Sequence, residues 1–519
     1  MERATRVNAN PAIEAAHRAF AAGDVAATER ICKQVLATAP QDPRVWMLLT
    51  ETALRRNRPD AAIASADRAI ALLPNEAMPH ILRAKCLFVS GEAGLAVEAA
   101  EAASRMAGSS PEGLDALGGM FGLLGQHGRA EHLFRRAVAA RPDLPQYLFN
   151  LAASERTIGK FDAAEAHCDA ALSLDRHYYL AHYLRSDLRT QTVDRNHTAE
   201  MAALIREGKI GRQDEVLLRF ALGKEFEDLG EYERAFEHIA TGNQLHRASI
   251  NYDPKREIDE IDGIIATQTG AWLASCPTGY RDADPVFVVG LPRTGTTLVE
   301  RIIAGHPEMI SVGETGAFAV ELRRALKMGN APDPAELGRR YLAVAIAFGR
   351  LDGRRFVDKT LANYLYCGLI HAALPRSKII LVQRHPLDAC WAIYKTLFQG
   401  HFLFSYDQVE LAEYYIAYRH LSQHWQSVLP ANSLLSLDYE DIVQDQAEAS
   451  RRLIAFLDLP WDENVLRFHQ NQAASSTASA VQVRRQIYSS SVAKWQTQAM
   501  RLMPLRSRLA RVIPESELA

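Results

Sequence analysis

A period of 34 residues governs the first third of the chain: Gly23, Asn57, Gly91, Gly125 and Gly159 stand 34 apart. Five residues after each comes Thr28, Ala62, Ala96, Ala130 or Ala164, on the same period. Pro40 and Pro74 share it, and Pro142 lies two periods beyond Pro74. Self-similarity at this length specifies a stacked helical array, because a single unit cannot bury its own apolar face. The spacing predicts a helix, a tight turn at the Gly or Asn, and a second helix whose small residue permits close approach. Proline then closes the second helix, since it cannot continue the hydrogen-bond ladder. Apolar residues at three-to-four spacing support both helices, as in "LFNLAASERTIGKFDAAEAHCDAALSL".

This pattern resembles the tetratricopeptide repeat, with about five units over residues 9–180. The resemblance implies a solenoid whose concave surface receives a peptide or protein partner. After Asp175 the pattern loosens. Residues 181–270 are expected to form a helical bridge, with a further repeat-like pair in which Gly230 and Ala235 keep the five-residue offset.

From Pro285 the texture changes. Short apolar runs, "VFVV" (286–289), "RFV" (355–357), "KIILV" (378–382) and "SLLSL" (433–437), are separated by helical stretches at 361–374, 386–398 and 408–428. Strands alternating with helices predict a parallel sheet covered on both faces. Ligands of such sheets bind at the carboxyl ends of strands.

One such end is occupied by "GLPRTGTT" at 290–297. Gly290 and Gly295 permit a tight wrap, so that backbone N–H groups and the following helix N-terminus can surround an anion. Thr296 and Thr297 add hydroxyl donors. A metal-dependent ATPase or GTPase would place lysine before the final hydroxyl residue and hold magnesium with an acid. Here Thr296 takes the lysine's place, and the cation, Arg293, sits inside the loop.

Composition narrows the choice further. A net charge of −3 over 519 residues gives no reason to expect nucleic-acid or membrane binding. The six cysteines are scattered, with no Cys-x-x-Cys pair and no His-Glu-x-x-His, so neither a disulfide framework nor a zinc site is indicated. No apolar run reaches transmembrane length, and the first residues lack the apolar stretch of a signal peptide. The expected compartment is the cytoplasm.

An internal cation without a magnesium clamp suits a donor whose transferable group is a sulfonate. "PRTGTTL" resembles the 5′-phosphosulfate loop of sulfotransferases that use 3′-phosphoadenosine 5′-phosphosulfate (PAPS). "GE" (313–314), "DKT" (358–360), "RHPLDAC" (384–390), "DYED" (438–441) and "QVRRQIYSSSVAKW" (482–495) follow in the order of that family. The chain is most similar to tyrosylprotein sulfotransferases and to bacterial sulfotransferases with tetratricopeptide repeats. The expected architecture is therefore an all-α repeat solenoid, then an α/β P-loop-like sulfotransferase domain with a parallel sheet over 271–519.

The resemblance also implies roles. Arg293, Thr294, Gly295, Thr296 and Thr297 would cradle the donor, with no metal required. Arg293 or Lys359 would act as the cation at the bridging oxygen; an ordinary ion pair is the alternative for Lys359. Glu314 would be the general base, its alternatives being a helix cap or a solvated acid. Arg384 would meet the 3′-phosphate, with Tyr439, Ser479 and Lys494 near the nucleotide and the sulfonate. Two departures stand out: Ala392 replaces a serine eight residues after Arg384, so that either Lys395 and its neighbours compensate or donor affinity is reduced, and Leu361 replaces a proline common in the bacterial relatives. The region after Lys359 reads "KTLANY", without the histidine of small-molecule enzymes. That favours a peptide or protein hydroxyl, tyrosine first, over a small-molecule or glycan acceptor. Two other readings are a repeat-based binding protein with a decayed catalytic domain, and a different P-loop enzyme such as a kinase.

Overall fold

The computed structural model describes residues 10–518 apart from 107, 109, 328–332, 349–350, 352, 399, 472, 476, 478–479 and 488–490. The chain divides into two compact units, residues 1–142 and 143–519.

The first unit is four antiparallel helix pairs: Pro11–Ala21 with Val25–Thr38, Pro43–Arg55 with Pro59–Leu72, Ala77–Val89 with Ala93–Met106, and Pro111–Leu123 with His127–Ala140. A fifth pair, Pro145–Ile158 with Phe161–Leu174, opens the second unit. All five periodic turn residues adopt positive φ, from 53° at Asn57 to 85° at Gly159. That conformation suits glycine and asparagine at a helix end. The residue five positions later is buried in every pair: Thr28, Ala62, Ala96, Ala130 and Ala164. A larger side chain there would force the two helices apart. Period and packing are one fact.

In the second unit, the repeat-like pair is Arg212–Asp228 with Tyr232–Arg247. Gly223 lets these helices touch, since a Cβ there would stand 2.5 Å from Ile239 Cγ1. The sheet follows: β1 (Val286–Val289), β2 (Met309–Gly313), β3 (Arg355–Asp358), β4 (Lys378–Gln383) and β5 (Leu434–Asp438). The strands pair in the order β2-β3-β1-β4-β5, all parallel. Alternate residues enter different cores, as the period of two requires. Phe287, Val289, Ile379 and Leu381 meet the helices Pro334–Phe348 and Gln408–Val428. Val286, Val288, Ile380 and Val382 meet Thr296–Ala304 and Gln446–Phe456. Covered on both faces, β1 is apolar at every position.

Two expected helices are shorter than the sequence predicts. Residues 361–366 form a 3₁₀ helix, and the α-helix runs only from Cys367 to Ala373. In this stretch Gly290 N–H reaches the Leu361 carbonyl at 3.5 Å, and Trp425 Nε1 donates to the Tyr364 carbonyl at 2.8 Å. The helix expected over 386–398 ends at Tyr394, whose carbonyl accepts from the buried Asn243 amide at 2.9 Å. Tertiary donors have claimed carbonyls that local propensity assigns to a helix.

Candidate active site

Each strand delivers one candidate residue from its carboxyl end. β2 ends just before Glu314, β3 just before Lys359, and β4 just before Arg384. Tyr439 follows β5, and β1 runs into the loop carrying Arg293. Five residues scattered over about 150 positions thus line one edge of one sheet.

The loop after β1 is close to its neighbours. A Cβ at Gly290 would lie 2.6 Å from the Val382 carbonyl, and one at Gly295 would lie 2.5 Å from Tyr439 Cδ2. Arg293 takes the left-handed conformation (φ 67°) despite its side chain, an arrangement that persists only where surroundings enforce it. Its carbonyl accepts from Arg384 Nη1 at 3.0 Å, and its own Nη2 donates to Gln482 Oε1 at 2.9 Å. Thr294 is buried and donates its hydroxyl to the Leu291 carbonyl at 2.8 Å, which braces the loop from inside. Thr296 and Thr297 open the helix Thr296–Ala304, where unpaired N–H groups favour an anion.

Arg293, Gly295, Thr297, Arg384, Tyr439 and Lys494 line a single cavity, together with Ala392 and Lys395. Thr294 faces a neighbouring pocket that Arg384 also lines. Arg384 lies 4.9 Å from the Tyr439 ring centroid and donates Nη2 to the Ser491 carbonyl at 2.5 Å. Its Nε is buried with no hydrogen-bond partner. A partly buried, incompletely paired guanidinium close to a helix N-terminus fits a phosphate-bearing ligand.

Lys359 and Glu314 pair with each other and do not line that cavity. Lys359 is 1% exposed at the side chain, Glu314 42%. Glu300, on the helix after the loop, lies 4.0 Å from Lys359 Nζ and accepts the Ser311 hydroxyl. β3 places Lys359 beside the loop, because β3 and β1 are direct neighbours. Ser479 lies outside the described residues.

Several residues at the site have no counterpart among the sequence candidates. Asp388 is buried, and its carboxylate accepts from the N–H groups of Ala493 (2.6 Å) and Trp495 (2.9 Å), which fixes the turn bearing Lys494. The Ser491 hydroxyl bonds the Tyr439 hydroxyl at 2.7 Å. Arg484 donates to the Thr157 carbonyl at 3.0 Å, and Ser475 N–H meets the same carbonyl at 2.9 Å. The fifth helix pair therefore supports the segment that carries Gln482 and Arg485 to the cavity wall. Asp388 lies inside "RHPLDAC" and could have been found as a helix-start acid; Arg484 and Ser491 lie inside "QVRRQIYSSSVAKW", but nothing local marks which partners they meet.

Residues 285–463 match a sulfotransferase family. The C-terminal half carries a sulfotransferase domain. Residues 19–86 and 124–179 match tetratricopeptide repeats. A curated relative, an uncharacterized protein of Aquifex aeolicus (strain VF5), is 30% identical over 325 residues, covering 59% of this chain and 43% of the relative. The chain thus spans less than half the length of that relative. Among solved structures, the sulfotransferase domain of the Synechococcus PCC 7002 olefin synthase is 15% identical, covering 46% of this chain and 99% of that one, with a TM-score of 0.33. The sulfotransferase domain from the curacin biosynthetic pathway is 17% identical, with coverages of 45% and 100% and a TM-score of 0.32. A thermophilic repeat protein of Thermus thermophilus is 18% identical, with coverages of 34% and 97% and a TM-score of 0.31.

Among the described residues, no group of His, Cys, Asp or Glu side chains is arranged to hold a metal ion. No helix among them is long and apolar enough to cross a membrane.

Proposed function

We propose that the sulfotransferase domain transfers a sulfonate group from PAPS to a hydroxyl on a peptide or protein, tyrosine first among acceptors. The observation that carries this reading is the loop Gly290–Thr297, with Arg293 inside it and Arg384, Lys395, Arg485 and Lys494 around the cavity it borders. These cations match a donor with a phosphate at each end of its nucleoside. When bound, the donor supplies the sulfonate and leaves as 3′-phosphoadenosine 5′-phosphate (PAP).

In this reading Arg384 binds the 3′-phosphate, while the Thr296 and Thr297 N–H groups and Arg293 hold the 5′ end. Lys359 or Arg293 neutralises charge on the oxygen that bridges phosphorus and sulfur as its bond to sulfur breaks. Glu314 accepts the acceptor's proton as the new oxygen–sulfur bond forms. A free glutamate is a weak base for a phenol of pKa about 10, so neighbouring cations must lower the acceptor's pKa. The repeats would capture the acceptor chain, for which helix-pair solenoids are suited.

Calorimetry provides the test. PAP is expected to bind in the presence of EDTA, and magnesium ATP to bind poorly. Tighter ATP than PAP binding, or loss of PAP binding on chelation, would overturn the donor assignment. The acceptor is tested separately, by labelled-sulfate transfer into a lysate resolved into protein and small-molecule fractions. Label confined to small molecules would remove the peptide acceptor.

Ala392 lines the donor cavity. Ala392→Ser is expected to tighten PAP binding by up to the roughly 1.5–3 kcal/mol of one hydrogen bond to a charged group. Unchanged or weaker binding in the same titration would show that the cavity is complete around alanine.

A further inference from the structure

Behind the donor cavity stands an acid that comes from the helical part of the unit. Glu227 belongs to the helix Arg212–Asp228, in the repeat-like pair that precedes the sheet. Its carboxylate oxygens accept from Lys395 Nζ at 2.8 and 2.7 Å, and Lys494 Nζ lies 3.3 Å from Oε1. Both lysines line the cavity. Glu227 is 8% exposed at the side chain and is not part of the lining.

The lining has a marked excess of positive charge. Arg293, Arg384, Lys395, Arg485 and Lys494 face one acid, Asp388, whose carboxylate is bonded to the Ala493 and Trp495 N–H groups. Two ammonium groups held this close in a partly dry site repel each other strongly. An acid standing between them offsets that repulsion. Lys395 follows the helix Pro386–Tyr394, one turn beyond Ala392, so its ammonium lies on the side of the cavity where the expected serine is missing.

We propose that Glu227 is a positioning residue of the donor site: it holds the Lys395 and Lys494 side chains in place at the cavity wall, so that Lys395 provides the phosphate contact Ala392 cannot. The proposal rests on the PAPS reading for its ligand, while the carboxylate–lysine geometry stands without it. Burial and three neighbouring groups decide the charge of Lys395. Burial, Lys494 on the C-terminal turn and Arg293 in the loop lower its ammonium to about 8, against the opposing pull of Glu227. The Trp391 ring, 5.6 Å from Nζ, adds no titrating charge. The sign follows. Lys395 is charged below pH 8 and loses its charge as pH rises through that value, so anion affinity should fall in the same window. Without the Glu227 carboxylate, the fall moves to lower pH.

The experiment is calorimetric titration of PAP into the full-length protein and its Glu227→Gln, Glu227→Asp and Lys395→Met variants between about pH 6 and 9, bracketing the Lys395 transition. Glu227→Gln should bind PAP roughly tenfold more weakly at about pH 8, and nearly as tightly as the parent at about pH 6. Glu227→Asp should recover much of the difference. Lys395→Met should flatten the pH profile and reduce the effect of a second change at Glu227 to what it exerts through Lys494. A Glu227→Gln profile identical to the parent's, or a loss of equal size at every pH, would overturn the proposal. Lysine titration followed by NMR of the ¹³C-methylated protein, with Lys395→Met assigning the signal, needs no nucleotide. There, Lys395 should titrate at lower pH in Glu227→Gln; an unchanged midpoint would overturn the positioning role even if the parent protein failed to bind PAP.

Discussion

Glu314→Gln is expected to lower turnover by roughly 10²–10⁴-fold, the usual contribution of a positioned base, while PAP affinity stays within a factor of about two. The split follows from geometry. Glu314 leaves β2 on the far side of β3, whereas the cavity lined by Arg384 and Tyr439 lies toward β4 and β5. The amide can still accept a hydrogen bond from Lys359, so the buried ammonium is not stranded and the protein should melt within a few degrees of the parent. Lys359→Met is the harsher change. It leaves Glu300, which is buried, without the ammonium 4.0 Å from its carboxylate. Breaking a buried ion pair costs about 3–5 kcal/mol, and the exposed half of this one reduces that figure. Thermal melting and steady-state rates of the two variants therefore separate chemistry from folding. Full activity in Glu314→Gln would exclude this carboxylate as the base. Equal losses of stability and rate in both variants would make the pair structural.

How much of this was legible in the sequence depended on whether the cause was local. The 34-residue period was legible because one backbone requirement, a left-handed turn, and one packing requirement, a small residue, recur at fixed positions. The strands were legible because burial on both faces leaves apolar runs such as "VFVV". Arg293, Lys359, Arg384 and Tyr439 are singled out by the family resemblance of their motifs, and the structure sets each of them in the loop or position that follows a parallel strand. Glu227 could not be found this way. It lies 168 residues from Lys395, on a helix whose own pattern explains it as a repeat residue. Glu300 is likewise an ordinary helix glutamate until β2 and β3 bring Ser311 and Lys359 beside it. The over-long helices at 361–374 and 386–398 failed for a related reason: Trp425 and Asn243, distant in sequence, take the carbonyls of Tyr364 and Tyr394.

Gly295→Ala is the second change expected to have a large effect, because it acts on the cavity through its most crowded contact. At φ 101° the position is strained for any residue with a side chain, at a cost of about 1–3 kcal/mol. The added methyl would also stand 2.5 Å from Tyr439 Cδ2. That ring atom cannot rotate away freely, since the Tyr439 hydroxyl is bonded to Ser491 and its face meets Arg384. Relief must come from moving the ring or the loop, and either displaces Arg384, which holds the Arg293 carbonyl. PAP affinity should therefore fall by roughly 10²-fold or more, the sum of strain and overpacking in free-energy terms. The melting temperature should drop as well. Tyr439→Ala tests the route. It removes the steric conflict, so Gly295→Ala in that background should cost only its backbone strain, and the two changes should be clearly non-additive. Strict additivity would mean that Tyr439 does not transmit the effect. Parent-like PAP binding in Gly295→Ala would mean that the loop does not need its glycine to hold the donor.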